Sequence, residues 1–160
     1  MAYIIDTPVI GGQPIATTET TQYHPIGTIV KAKDTTYGEG EFVYLKGVAS
    51  TVVGSVVIYD QTANTTTLAV AGSRGPVAIA MSANVASQYG WYQIGGSAVI
   101  KAGTVLANGN VYVTATAGTV DDAVVAGDKI DGARFKTADG TPSAGLAIAQ
   151  INRPALKAKG

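Results

Sequence analysis

The chain has 160 residues, enough for one domain that buries roughly 68–70% of its unfolded surface, and carries eleven basic and eleven acidic residues for a formal net charge of zero. Apolar residues make up 46% of the sequence and charged residues 14%, well below the ~25% usual for soluble domains. Without a basic face to neutralise phosphates, nucleic-acid binding is not expected. With no cysteine, disulfides and thiolate metal sites are excluded.

Residues 1–25 read as an extended N-terminal arm. Pro8, Gly11-Gly12, Pro14, the Thr17-Thr18-Glu19-Thr20-Thr21 run and Pro25 argue against regular structure. Tyr3, Ile4, Ile5, Val9, Ile10, Ile15 and Tyr23 make the same stretch more apolar than a solvated tail. An arm that lies on another subunit fits both features, and these seven residues are the expected partner contacts. Asp6 and Pro8, with no basic region ahead of them, do not resemble a secretory signal. No apolar run approaches the ~18–20 residues that span a bilayer. Synthesis and assembly in a cytoplasm, without membrane association, are therefore expected.

Residues 26–151 read as the body, and 152–160 as a short tail. Runs rich in Val, Ile, Thr and Tyr fall at 27–33, 41–48, 55–59, 65–71, 76–81, 90–94, 98–101, 110–115, 134–137 and 146–151; each has a strand's length and composition. Glycine-rich punctuation separates them: Gly38-Glu39-Gly40, Gly72-Ser73-Arg74-Gly75, Gly95-Gly96, Asn108-Gly109 and Asp139-Gly140-Thr141-Pro142. The pattern predicts an all-β protein, a single β-sandwich or barrel-like body. Only 120–126 looks helical, with Asp121 or Asp122 as N-cap.

Side-chain alternation refines this reading. Val77-Ala78-Ile79-Ala80-Met81 places large residues on one face and alanines on the other, and Leu146-Ala147-Ile148-Ala149 repeats the arrangement. In 41–45, Phe42 and Tyr44 oppose Val43 and Leu45. A strand apolar on both faces is central to a layered core or has one face covered by another chain, and in a small sandwich some covering by a partner is expected. An internal echo relates 41–45, 54–58 and 75–80 to 90–94, 109–113 and 145–149. It suggests two related β-halves, with chance similarity among Val/Gly/Ala-rich strands as the rival.

Catalytic chemistry finds little to work with. The single histidine, His24 between Tyr23 and Pro25, has no evident oriented partner. Asp121, Asp122, Asp128 and Asp131 form the one acidic cluster, a candidate for calcium whose spacing does not match an EF-hand loop. Asp at turns is the alternative. Tyr89, Trp91 and Tyr92 are the one aromatic cluster, able to fill a core, stack on sugars or bases, or anchor a protein interface. No enzyme activity and no cofactor are expected.

The apolar Pro/Thr-rich arm, the cysteine-free Gly/Ala/Val/Thr-rich β-body and blocks such as Gly75-Pro76-Val77-Ala78-Ile79-Ala80 resemble the head decoration (cement) proteins of tailed bacteriophages. The resemblance covers most of the chain in layout and contains no diagnostic motif, so it assigns no site residues. It implies a small β-sandwich or barrel acting as a dimer or trimer on the capsid exterior. There it would stabilise the virion by bridging subunits of the major capsid protein, after synthesis in the bacterial host. Two other classes stay open: a carbohydrate-binding or fibre/tail-associated β-domain using Tyr89, Trp91 and Tyr92, and a hydrolase with spatially paired acids.

Overall fold

The computed structural model describes residues 4–5 and 14–157. Among them lie twelve strands: β1 (Ile4–Ile5), β2 (Thr18–Glu19), β3 (Ile29–Asp34), β4 (Gly38–Lys46), β5 (Val56–Tyr59), β6 (Thr66–Leu68), β7 (Gly75–Ala80), β8 (Tyr89–Lys101), β9 (Asn110–Val113), β10 (Val120–Asp121), β11 (Lys129–Phe135) and β12 (Leu146–Leu156). The fold is all-β, as the β-branched runs and turn signals predict, and every ladder is antiparallel. The strands join into one sheet in the order β1-β3-β4-β8-β7-β12-β11-β9-β10, with β2 added to β8 and the β5–β6 hairpin added to β7. This sheet does not close into a barrel.

Three expected elements differ. The stretch 152–160, expected as a tail, continues β12 as far as Leu156, which pairs with Ile130 and Gly75 and enters the core. Residues 120–126 are not a helix: Val120 and Asp121 pair with Val113 and Tyr112, and the Asp121 carboxylate accepts the Ala123 N–H at 3.1 Å. A residue expected to cap a helix instead turns the chain out of a strand. The runs 90–94 and 98–101 are one strand of 13 residues, β8. Gly95-Gly96 bends it without ending it. The buried Gln93 side chain holds that bend, donating to the carbonyls of Gly95 at 3.0 Å and Ser97 at 3.2 Å.

The bend lets β8 serve two groups of strands. Its first half pairs with β4 and with the end of β7, and its second half pairs with β12. Connectivity on the two sides is the same. Long β4 leads to the β5–β6 hairpin, β7 pairs with β5, and β8 returns beside both β7 and β4. Long β8 leads to the β9–β10 hairpin, β11 pairs with β9, and β12 returns beside both β11 and β8. Even the single parallel bridges correspond, Lys46 to Thr65 and Ala102 to Val120. The echo between 41–45 and 90–94, and between 54–58 and 109–113, thus falls on equivalent strands. The third match does not, because by connectivity the counterpart of β7 is β11.

Burial follows from this layering. On β7, Val77 and Ile79 join one core with Ile100, Val111, Ile130 and Phe135; Ala78 and Ala80 join a second with Val43, Leu45, Tyr92 and Ile94. On β12 the small residues face inward. Ala147 and Ala149 face the first core, while Leu146 and Ile148 are only partly buried.

A third core covers the other face of β4 and β8: Ile15, Val30, Ala32, Phe42, Tyr44, Met81 and Trp91. Its lid comes from the same chain. Thr18 and Glu19 pair with Gly90 and Tyr89, the Gly27 N–H donates to the Tyr44 carbonyl at 2.7 Å, and the Tyr44 N–H donates to Thr28 at 2.9 Å. Of the two alternatives for this doubly apolar strand, it takes the first: it is central to a layered core, with residues 14–28 over one face.

Gly96 has φ +97°, and a Cβ placed there would lie 2.2 Å from the Glu39 carbonyl oxygen. Both conformation and space demand glycine. Gly96→Ala is expected to lower stability by roughly 2–4 kcal/mol, read as a fall in the urea midpoint at unchanged m-value; an unchanged midpoint would contradict the bent-strand geometry.

Candidate functional site

Of the expected partner contacts, Tyr3, Val9 and Ile10 lie outside the described residues. Ile4 pairs with Lys33 on β3 and is 70% exposed, and Ile5 pairs with Ala32. Tyr23 is exposed. Ile15 is not available to a partner, since it fills the third core.

The aromatic trio does not form a surface patch. Tyr89 and Trp91 point to one face of β8 and Tyr92 to the other, as strand alternation requires. Trp91 and Tyr92 have no solvent exposure, and Tyr89 is half-buried, stacked on Tyr44 with centroids 6.3 Å apart. Stacking on sugars or bases by these three is therefore corrected to core filling. His24 belongs to the same core, its ring 5.1 Å from Tyr44 edge-on and 5.3 Å from Trp91.

The four aspartates are dispersed into separate roles. Asp122 accepts the Leu106 N–H at 2.8 Å. Asp128 is buried; it accepts the Gly72 N–H at 2.9 Å and pairs with Arg74 at 3.3 Å, tying the β6–β7 turn to the start of β11. Asp131 pairs with Lys157 at 3.0 Å, and Asp121 holds its turn. No group of three or more metal-ligating side chains occurs among the described residues, so this cluster does not assemble into a calcium site.

Several polar residues that the sequence reading passed over hold the interior. Asn84, fully buried, donates to the Leu45 carbonyl at 3.3 Å and to the Tyr92 hydroxyl at 3.1 Å. Thr66 and Thr51 also hydrogen-bond that hydroxyl. Burial pushes the Tyr92 phenol above its ordinary 10.0, and these hydrogen bonds partly offset the rise.

Two surface features carry binding potential. The first is a group of apolar side chains on loops beyond β8 and β10: Leu106 is 69% exposed, Val124 81%, and Val125 is also exposed. The Asp122–Leu106 hydrogen bond ties these loops together. The second is a trough where the β5–β6 hairpin, the start of β7 and the end of β12 meet. It comprises two adjoining hollows of about 360 and 320 Å³ that share Tyr59, Gln61 and Pro76. Arg74 lines one hollow and Arg153 the other. Arg153 has φ +43° and holds Glu41 through two bonds of 2.8 and 2.7 Å. Burial also raises the Tyr59 phenol, with Arg153 lowering it and Glu41 raising it. No sequence motif marks this trough, because its residues come from three distant stretches.

Compared with known proteins, the chain matches no protein family and no curated protein.

A buried tyrosine whose phenol is raised stays neutral in the fold while the unfolded chain ionises near 10.0. Its contribution is complete below that pH and is lost as pH rises through the folded value. Urea midpoints are thus expected to fall above pH ~10, and Tyr92→Phe to flatten that fall while costing about 1–2 kcal/mol at neutral pH through the unpaired Asn84 amide. Parallel alkaline slopes for both proteins would contradict the buried position of this hydroxyl.

Proposed function

We propose that this protein is a structural, non-catalytic component of a tailed-bacteriophage particle. It is a decoration protein that binds the capsid exterior as a homo-oligomer and stabilises it by bridging major capsid protein subunits. The observation that carries the reading is the group formed by Leu106, Val124 and Val125, left in solvent by a body whose cores are filled from its own chain. Large apolar side chains grouped on tied loops favour a protein contact over open water. A formal net charge of zero adds little long-range repulsion between neighbours.

The rest of the molecule suits that role. A continuous sheet presents its loops in fixed positions, so little ordering entropy is lost on docking. Individual contacts can be weak, because repetition across a lattice and engagement of two subunits at once raise effective affinity by orders of magnitude. Ile4, exposed on the β3 edge, extends the contact surface towards the N-terminus.

The test is co-sedimentation of the purified protein with assembled particles, with bound copy number measured. A chain starting at Pro14 keeps Ile15 and the strap over β8, so it is the truncation that leaves the body intact. That chain and Val124→Asp are each expected to fold normally, by circular dichroism, and to bind particles at least about tenfold more weakly. Absence of co-sedimentation by the parent protein, or unchanged binding by both variants, would overturn the reading.

A further inference from the structure

We infer that the hollow beside the β3–β4 turn, lined by Tyr37, Ser97, Lys136 and Ile148, is a docking site for an extended segment of a partner protein that carries a branched aliphatic side chain next to a carboxylate. This rests on the assembly role proposed above and names the chemistry of one contact. It is tested on the isolated protein, so it can fail while that role stands.

The internal repeat locates this hollow. Ala80 ends β7 and Phe135 ends β11, and the two make the same backbone bonds. Their carbonyls accept the N–H groups of Gly54 and Asn108 at 2.8 and 2.9 Å, and their own N–H groups donate to Ser55 and Gly109 at 2.9 and 3.0 Å. One residue further, the Met81 N–H donates to the Trp91 carbonyl at 3.3 Å, as the Lys136 N–H donates to the Ile148 carbonyl at 2.7 Å. Across the long strands, the pairs Tyr44–Trp91 and Phe42–Gln93 correspond to Val99–Ile148 and Ser97–Gln150. Phe42, Met81 and Trp91 of the third core therefore have Ser97, Lys136 and Ile148 as counterparts. These three line one hollow of about 490 Å³.

The two units differ in what covers this face. In the first, the strap lays Ile15 into the core and pairs Thr18 and Glu19 with β8. In the second, a loop of the same unit takes the backbone edge. The Thr137 hydroxyl accepts the Ile148 N–H at 3.0 Å, and the Gly140 N–H donates to the Leu146 carbonyl at 2.9 Å. The cover is incomplete: Ile148 is half-buried where its counterpart Trp91 has no exposure. An incoming segment thus meets side chains here, not a free ladder.

The occupant's chemistry follows from that comparison and from charge. An extended polypeptide covers the counterpart face in this same molecule, which favours a peptide over a saccharide. Tyr37 and Ile148, both half-buried, offer apolar surface to one aliphatic side chain in the manner of Ile15. No aspartate or glutamate lines the hollow. Lys136 is exposed and forms no ion pair among the described residues; its ammonium meets only the neutral Ser97 hydroxyl, at 3.3 Å. A carboxylate beside the aliphatic anchor supplies the missing counter-charge. The turn that forms the opposite wall is held in place, because the buried Asp34 carboxylate accepts the N–H groups of Thr36 and Tyr37 at 2.7 and 2.9 Å. A fixed wall keeps the ordering cost of docking low.

The experiment titrates ¹⁵N-labelled protein with acetyl-Thr-Ile-Glu-Thr-amide, and with analogues carrying glutamine for glutamate or serine for isoleucine, followed by amide chemical shifts. Shifts are expected to cluster at Tyr37, Ser97, Thr137 and Ile148. The glutamate peptide is expected to bind about threefold or more tightly than the glutamine one at low salt, with the difference fading at about 0.3 M salt, where screening is strong. The serine analogue is expected to lose most binding. Lys136→Gln changes an exposed side chain, so the fold should persist, as its spectrum would show. That variant is expected to bind the glutamate and glutamine peptides alike, at the parent's affinity for the glutamine one. No shifts at about 10 mM peptide, shifts centred on Tyr89 and Trp91 or scattered over the surface, equal binding of the serine analogue, or a glutamate preference that is absent in the parent or survives Lys136→Gln would each overturn the inference.

Discussion

The fold depends on one strand, β8, whose residues are buried on both faces on either side of its central bend. β8 shares a ladder with β4, β7 and β12, and residues from it enter all three cores: Trp91 in one, Tyr92 and Ile94 in another, Ala98 and Ile100 in the third. A straight strand of this length would project past one group of neighbours. The bend at Gly95-Gly96 redirects it so that its second half becomes the first strand of a repeated unit. Everything outside this strand can be described by what it covers: the strap 14–28 and β3 on one side, the β5–β6 hairpin and β7 on another, β9 to β12 beyond the bend.

That constraint also explains the buried polar groups. A bent, doubly covered strand exposes carbonyls that a flat ladder would pair, and Gln93 satisfies two of them with one amide. Asn84 and the threonines around the Tyr92 hydroxyl do the same where β4 ends. Polar residues inside a core of this kind specify one arrangement as much as they stabilise it. With the core completed internally, the outside presents apolar loops, an exposed edge at Ile4, and a trough lined by Asp60 and Arg74 in one hollow and by Arg153 in the other.

Local signals in the sequence reach as far as local physics does. The runs 41–48, 55–59, 76–81 and 110–115 are legible because β-branched and aromatic residues alternate between turn residues, and all become strands. Gly95-Gly96 reads as a break because glycine marks both turns and bends, and only the ladder to β12 distinguishes them. Trp91 and Tyr92 read as a possible surface because nothing local reveals that Ile15 and His24, some seventy residues earlier, close over one face. The same non-locality hides the trough, where Tyr59, Arg74 and Arg153 meet only in three dimensions. Asp121 and Asp122 suggest a helix cap because carboxylates in turns and at helix starts make the same backbone bond.

Amide hydrogen exchange on the isolated protein tests the completeness of this core most directly. Amides of Trp91–Ile94 and of Ala98–Ile100 are expected to exchange slowest of all, through global unfolding. Rapid exchange along the first half of β8 would mean that residues 14–28 do not supply the cover assigned to them.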